Sequence, residues 1–475
     1  MRTRNKILMG IAIAIGILII AAGIALFVIS RDEAPPDDSD LIVKRLDIPD
    51  DQNGFTYFQQ AGAALYWPGT EAWKKAAKHS ESEDAEKIKD RLERMMDGKD
   101  WDAVLAAEVL DANKPTFALI EKGLACREFQ VPKPVGMDAL DLNVLDFLNL
   151  SRACFVRAFA MAKAGDKARA VDEALRMVQF GHALERSKGV LVTCLVGTTI
   201  KGMGLATVRQ LVANGVLPPE HLKKAAARLV EFADSGEGYA DSLRVEYGWG
   251  MGIIEEFREG KGVMAKILAQ MQQSGRTEDD VKRDWESYMN FGLVFKPNQT
   301  RRFYIETIQP TVENATKHFA DMHPPPDVRV ELKRRPWYLS GNVVGKKFIV
   351  MFLPAVPGAM QLKVRVNDDV AVTRILLALK AFKLATGRLP KTLDELVPEY
   401  LAAVPLDDFD GKPLRYSPEK KILYSVGKDL KDEGGSTKEE TLKWWQKENP
   451  SRPPEDAQLE PPLWDLPNPS WPIEF

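Results

Sequence analysis

The clearest hydrophobic pattern in this chain is an uninterrupted apolar run from Ile7 to Ile29. A helix of this length is roughly 35 Å long, enough to cross a hydrocarbon core of about 30 Å. The run is longer than the apolar core of a cleaved signal peptide, and it continues beyond the small residues at 21–23. It therefore predicts an uncleaved transmembrane anchor over residues 7–30, in contact with the lipid bilayer through residues 7–29.

The charges on either side of the run predict its orientation. Arg2, Arg4 and Lys6 precede it, whereas residues 32–40 contain five acidic side chains. Basic flanks of a membrane helix stay on the cytoplasmic side. We therefore expect residues 1–6 to form a cytoplasmic tip and the bulk of the chain to lie outside the cytoplasm.

Most of the remaining chain has apolar residues at helical spacing, which predicts a mostly α fold. An acidic, proline-containing linker is expected at 31–52, followed by a helical-hairpin, repeat-like domain over 53–235. In the clearest hairpin, Gly165 can take a positive φ and Asp166 can cap the following helix. Residues 236–362 predict a second helical region, whose aromatic residues either pack a second layer or line a groove for a peptide or glycan.

Residues 363–435 carry a pattern typical of a small α+β module. Asn367 is a good helix N-cap, and Asp368 and Asp369 suit the positive end of a helix dipole. A short helix is expected to follow, with Thr392 as its cap and Glu395 at the capping-box position.

Two short strands, over 414–416 and 422–426, are predicted to complete the module. Beyond it, residues 436–475 predict a charged helix and a tail rich in proline and tryptophan. The tail either packs as an extended segment along the surface or is free to bind a partner.

The order of short motifs in this module resembles the globular end of the major pseudopilins of type II secretion. The matching stretches, read along the chain, are residues 378–383, 386–390, 392–396, 408–416, 423–429 and 434–435. The resemblance implies a pseudopilin-like α+β fold, a bacterial inner-membrane location with the bulk of the chain in the periplasm, and a link to secretion machinery. The whole chain also resembles a group of single-span bacterial envelope proteins.

The resemblance also implies a calcium site, because the loop after the last strand holds calcium in pseudopilins. Here Asp429 and Asp432 supply the candidate carboxylates, and Glu433, Ser425 and the Val426 carbonyl could add oxygens. The alternative is an acidic, glycine-rich turn that holds no metal.

The N-terminus departs from the pseudopilin pattern. Ile11 follows Gly10, and Ile15 occupies the position where the family carries a glutamate. These departures disfavour leader processing and assembly into a pilus-like filament.

Composition narrows the function further. A net charge of -3 and a pI of about 6.1 leave no basic field for nucleic acid. Cys126, Cys154 and Cys194 lack the spacing of a disulfide framework and are expected to be buried thiols, the alternative being one disulfide and one leftover thiol outside the cytoplasm.

Motifs for catalysis are missing from the sequence. The five histidines lack metal-ligand spacing, and the chain contains neither Gly-x-Ser-x-Gly nor Cys-x-x-Cys. Residues 341–347 are one spacer short of a phosphate-binding loop. We therefore name no catalytic residue and no cofactor-binding residue.

The sequence as a whole favours a membrane-anchored structural or adaptor protein of the bacterial envelope with a protein partner. Two alternatives stay open. One is an anchored hydrolase that uses carboxylates in the 236–310 region, such as Glu246 and Glu255 beside Arg244. The other is a pilus-like subunit.

Overall fold

A computed structural model of the chain describes Ile20 and a set of ranges that begin at residue 31. These are residues 31–76, 82–96, 100–134, 144–213, 215, 217–233, 235–258, 296–323, 342, 345–346, 349, 356–448, 463, 466 and 468–475. The predicted anchor over 7–30 lies outside them, apart from Ile20. The described part is mostly α-helical with a small antiparallel sheet near the C-terminus, which confirms the predicted class at this level.

Helices dominate the first half of the described chain. They are α1 Gly54–Ala64, α2 Glu71–Lys75, α3 Ser82–Met96, α4 Ala103–Ala112, α5 Lys114–Ala125, α6 Val144–Lys163, α7 Lys167–Glu185, α8 Leu191–Ala213 and α9 Pro219–Arg228. The second half contains α10 Glu237–Arg258, α11 Pro297–Asn314, α12 Val356–Thr386 and α13 Lys438–Glu448.

The predicted hairpin between α6 and α7 is confirmed. Gly165 has a φ of 92°, and the Asp166 side chain accepts a hydrogen bond from the Arg169 amide at 3.3 Å. The next pair, α7 and α8, packs so closely that a Cβ at Gly181 would lie 2.5 Å from the carbonyl oxygen of Gly197. Close backbone approach explains the glycines in these apolar helices.

Helix α8 is long and apolar enough to cross a membrane by length and composition, yet most of it is buried within the helical body. Its buried side chains include Cys194, Ile200 and Leu205. Cys154 is buried as well, Cys126 is half-buried, and all three thiols are free. A core helix explains this apolar segment.

Helix α12 differs from its prediction. It runs without a break from Val356 to Thr386, so Asn367, Asp368 and Asp369 lie in its middle and not at an N-cap. The boundary predicted between residues 362 and 363 therefore falls inside a helix. The three polar side chains have partners on other elements, and these partners, not a helix end, account for their presence.

The sheet contains strands β1 Arg415–Ser417, β2 Ile422–Tyr424 and β3 Ser470–Pro472. The first two pair antiparallel with Tyr416 opposite Leu423, close to the predicted positions. The third strand comes from the tail and pairs with β2, Trp471 lying opposite Leu423. The end of the tail is thus part of the sheet, which the sequence pattern did not predict.

One continuous cluster of buried apolar side chains joins the helices to the sheet. It includes Val171 of α7, Leu205 of α8, Ile375 of α12, Leu423 of β2 and Trp471 of β3. The helical region and the small sheet therefore share a core, with α12 passing between them.

Candidate functional site

Two consecutive carboxylates in the middle of α12 mark the junction of the helices with the sheet. Successive residues of a helix point about 100° apart. Asp368 therefore meets the loop over 405–411, whereas Asp369 meets α8. We call this junction of α8, α12, β3 and the loop the seam.

Asp368 is completely buried. Its Oδ1 accepts a hydrogen bond from the Asp408 amide at 2.6 Å, and its Oδ2 has no hydrogen-bond partner among the described atoms. Burial, reinforced by the neighbouring charge of Asp407, raises the pKa of Asp368 well above its usual range. Burial therefore favours the protonated form of this carboxyl.

Asp407 is buried, and both of its carboxylate oxygens accept hydrogen bonds. It accepts hydrogen bonds from the Ser425 hydroxyl at 2.9 Å, from the amides of Phe409 and Val426 at 3.0 Å, and from Arg415 at 2.7 Å. Burial raises the pKa of Asp407, while these donors lower it and limit the rise. The carboxylate fastens the loop to β1 and to the end of β2.

Asp408 joins three elements. Its carboxylate accepts from Nδ1 of His318 at 2.9 Å, from Lys363 at 3.0 Å and from Asn367 at 3.0 Å. An aspartate that orients a half-exposed histidine is also part of a nucleophile-activating triad. Within the described hydrogen bonds, however, no Ser, Thr or Cys meets the second ring nitrogen of His318, so the pair connects elements.

Asp369 forms the other half of the seam. Arg209 of α8 lies 3.0 Å from its carboxylate and donates to the Thr373 hydroxyl at 2.9 Å. Burial raises the pKa of Asp369, and the Arg209 guanidinium opposes that rise.

A cavity of about 280 Å³ opens beside this ion pair. Most of its lining is apolar, with Arg209, Gln210, Thr373 and Glu474 as the polar groups; the apolar lining is Val208, Val212, Ala213, Leu376, Leu377, Trp471, Pro472 and Phe475. A small apolar pocket with a few polar groups at fixed positions is suited to binding a side chain or a small ligand.

The seam is better arranged for binding than for catalysis. A general acid must come within hydrogen-bond reach of the substrate. Asp368 and Asp407 have no exposed surface, and Asp369 is held by Arg209. Their perturbed pKa values reflect a structural network and not an accessible acid.

The residues predicted to bind calcium each make contacts within the protein. Asp429 accepts from the Lys431 amide at 3.2 Å, and Asp432 accepts from the Gly434 amide at 3.0 Å. The Ser425 hydroxyl faces Asp407. No group of three or more His, Cys, Asp and Glu side chains in the described ranges is placed to hold a metal. Calcium binding by this loop stays a prediction.

The carboxylates of the hydrolase alternative also serve separate structural contacts. Glu246 accepts from the Leu191 amide at 3.0 Å and so satisfies the start of α8, while Arg244 pairs with Asp241 at 3.0 Å. Glu255 is exposed and lies roughly 13 Å further along α10 than Glu246. These three side chains do not converge on a site.

Sequence reasoning noticed Asp368 and Asp369 but assigned them to a helix end, and it missed Arg209, Lys363 and Asp407. The available signal was the presence of several charged residues within a strongly apolar stretch, since buried charges need partners. The partners themselves lie between about 40 and 160 residues away and could not be chosen from the sequence.

The chain was compared with protein-family models, curated proteins and solved structures, and none of them matches it.

Proposed function

We propose that this protein is a membrane-anchored structural or adaptor protein of the bacterial envelope. In this proposal residues 7–29 hold it in the inner membrane, and the periplasmic part binds a protein partner at the seam. The resemblance of the C-terminal module to pseudopilins suggests a component of secretion machinery as that partner.

The observation that carries the proposal is how the buried charged groups are used. Glu185 lies 2.5 Å from Lys201 between α7 and α8, Glu246 satisfies the start of α8, and Asp408 connects its loop with α12 and with the turn at His318. These carboxylates are of a type that can act in acid-base chemistry, but here they connect structural elements to one another. This supports a rigid body built to hold a fixed shape.

The cavity at the seam supports partner binding in particular. Its apolar walls come from α8, α12 and the residues around β3, three elements that the shared core holds together. Arg209 and Glu474 place one charge of each sign at its edge. An apolar anchor residue with a polar neighbour is the kind of group that such a pocket accepts.

Photo-crosslinking in native membranes tests the proposal. A photoreactive amino acid at the exposed position Glu474 is expected to give one discrete adduct with a periplasmic or membrane protein. The same group at Val104, which is 80% exposed and is not part of the cavity lining, serves as the matched control.

A second variant tests whether formation of the adduct depends on the cavity. Filling the cavity with Ala213→Phe should remove the Glu474 adduct while leaving the amount of protein in the membrane unchanged. An adduct that persists in this variant, or that forms equally from Val104, would contradict binding at the seam.

A further inference from the structure

The segment predicted as a linker is fastened to the start of α11. The carboxylate of Asp32 accepts hydrogen bonds from the amides of Asn298 at 2.7 Å and Gln299 at 3.2 Å, so it caps this helix. Glu33 accepts from the Asn298 side chain at 2.7 Å through its carbonyl oxygen and pairs with Arg302 at 3.1 Å.

The contacts continue along residues 32–46, which we call the strap. Asp38 accepts from the Tyr247 hydroxyl at 2.7 Å and from Arg301 at 2.9 Å. Leu41 is buried, and Arg45 donates to the carbonyl of Lys188 at 2.7 Å. The chain after the anchor is therefore bound to the body almost from its first residue.

This geometry limits how far the body can move from the membrane. Ile29 is the last residue of the apolar run, and three Cα steps lead from it to Asp32, a distance of at most about 11 Å. Given the anchor of the proposed function, Asp32 lies within that distance of the end of the membrane helix, and the first turn of α11 is one side chain and one hydrogen bond further on.

The charges along α11 are distributed unequally. Around its first two turns the basic side chains are balanced by carboxylates of the strap, since Arg301 pairs with Asp38 and Arg302 with Glu33. Later turns expose Glu306 and Glu313. An anionic membrane surface repels these acidic later turns more strongly than the balanced first turns.

We propose that the first turns of α11, which the strap holds close to the anchor, lie at the phospholipid headgroups, and that α11 rises from the membrane. The body then has a fixed orientation and does not swing on a loose tether. This inference rests on the proposed function, because it takes residues 7–29 as the anchor.

Energy transfer between the protein and the lipid headgroups tests the orientation. The full chain carries one donor dye, attached either to Gln299→Cys or to Glu313→Cys in a Cys126→Ser background. It is reconstituted in nanodiscs of phosphatidylethanolamine and phosphatidylglycerol with an acceptor on the headgroups. The two positions are roughly 21 Å apart along α11, so transfer from position 299 should be clearly the more efficient.

Weakening the strap should reduce that difference. Asp32→Ala combined with Asp38→Ala removes the hydrogen bonds that these two carboxylates make with α10 and α11, and the two transfer efficiencies are expected to become more similar. Asp37→Ala is the matched control, because Asp37 accepts only from the Ser39 amide of the strap itself in the described contacts and is exposed. The control should keep the difference.

The outcomes separate this inference from the proposed function. Equal transfer from positions 299 and 313 in the unmodified strap, with the protein resistant to carbonate extraction, would overturn the fixed orientation alone. Release of the protein by carbonate would overturn the anchor itself. If the double variant fails to fold, the transfer efficiencies from positions 299 and 313 in the protein with an unmodified strap still test the fixed orientation.

Discussion

The carboxylates of the seam differ in what their burial does to stability. Asp368 has a raised pKa and no cationic partner in the described contacts, whereas Asp369 is also buried but pairs with Arg209. A buried acid without a cationic partner and a buried ion pair should respond in opposite ways when the carboxyl is replaced by an amide.

Asp368→Asn should stabilise the protein by about 1 kcal/mol at pH 8, because the amide keeps the hydrogen bond of the protonated acid. The pKa of Asp368 is higher in the folded state than in the unfolded chain, where a carboxyl has a pKa of about 4. The contribution of Asp368 to the free energy of unfolding is therefore fully present below about pH 4 and is lost as the pH rises through its pKa in the folded state. Urea unfolding at pH 5 and pH 8 should therefore show a larger gain at pH 8.

Asp369→Asn provides the control for this prediction. The same change one residue further along α12 leaves Arg209 beside an uncharged group, so we expect a loss of about 1–2 kcal/mol in the same unfolding experiment. A gain in both variants, or a loss in both, would contradict the roles assigned to the two carboxylates.

Single residues were predicted only where their contacts are local. Asp166 and Gly165 act within one turn, and both predictions are confirmed. Asp368 and Asp369 follow the local pattern of a helix start equally well, and only their distant partners show otherwise. Local chemistry alone cannot separate a cap from a buried tertiary contact.

The helices depend on close contact as much as on apolar patterning. Gly181 of α7 faces the backbone of α8, where an added Cβ would lie 2.5 Å from both the Gly197 oxygen and the Lys201 nitrogen. Backbone atoms cannot move aside as side chains do. The contact also brings Lys201 within 2.5 Å of Glu185.

Gly181→Ala should therefore destabilise the protein by about 2 kcal/mol or more. Gly248→Ala, in the middle of α10, is the matched control, since an added Cβ there meets nothing within 4 Å. Alanine at this open helical position should stabilise by about 0.5–1 kcal/mol. Thermal unfolding of the two variants in parallel would measure both effects, and similar losses in both would contradict the packing of α7 on α8.

At the scale of elements, the sequence predicts most helices because apolar periodicity is strong in α7, α8 and the second half of α12. It predicts β1 and β2 from the turn between them. It does not predict β3, because the pairing of Trp471 with Leu423 depends on a long-range contact and not on a local pattern. The strap was missed for the same reason.

The whole molecule is expected to unfold as one unit, since the sheet and the helices share a core. Trp471 is 5% exposed and contributes to both. Trp471→Ala should destabilise the full chain by about 3–5 kcal/mol. Hydrogen exchange should then report the same loss of stability for peptides from α8 and from β2.

Trp444→Ala is the comparison for this prediction, because Trp444 is only half-buried in α13 and its loss should be smaller. If Trp471→Ala lowered protection in β2 but left α8 unchanged, the sheet would be an independent module. The shared core would then not explain how the two regions are joined.

The central claim, that an anchor holds a periplasmic body, is tested most directly by labelling with a membrane-impermeant maleimide. Val104→Cys in a Cys126→Ser background presents one exposed thiol in the body, and Arg4→Cys presents one on the predicted cytoplasmic tip. The account predicts that intact spheroplasts label position 104 fully, whereas position 4 reacts only after lysis. Labelling of position 104 only after lysis would contradict it.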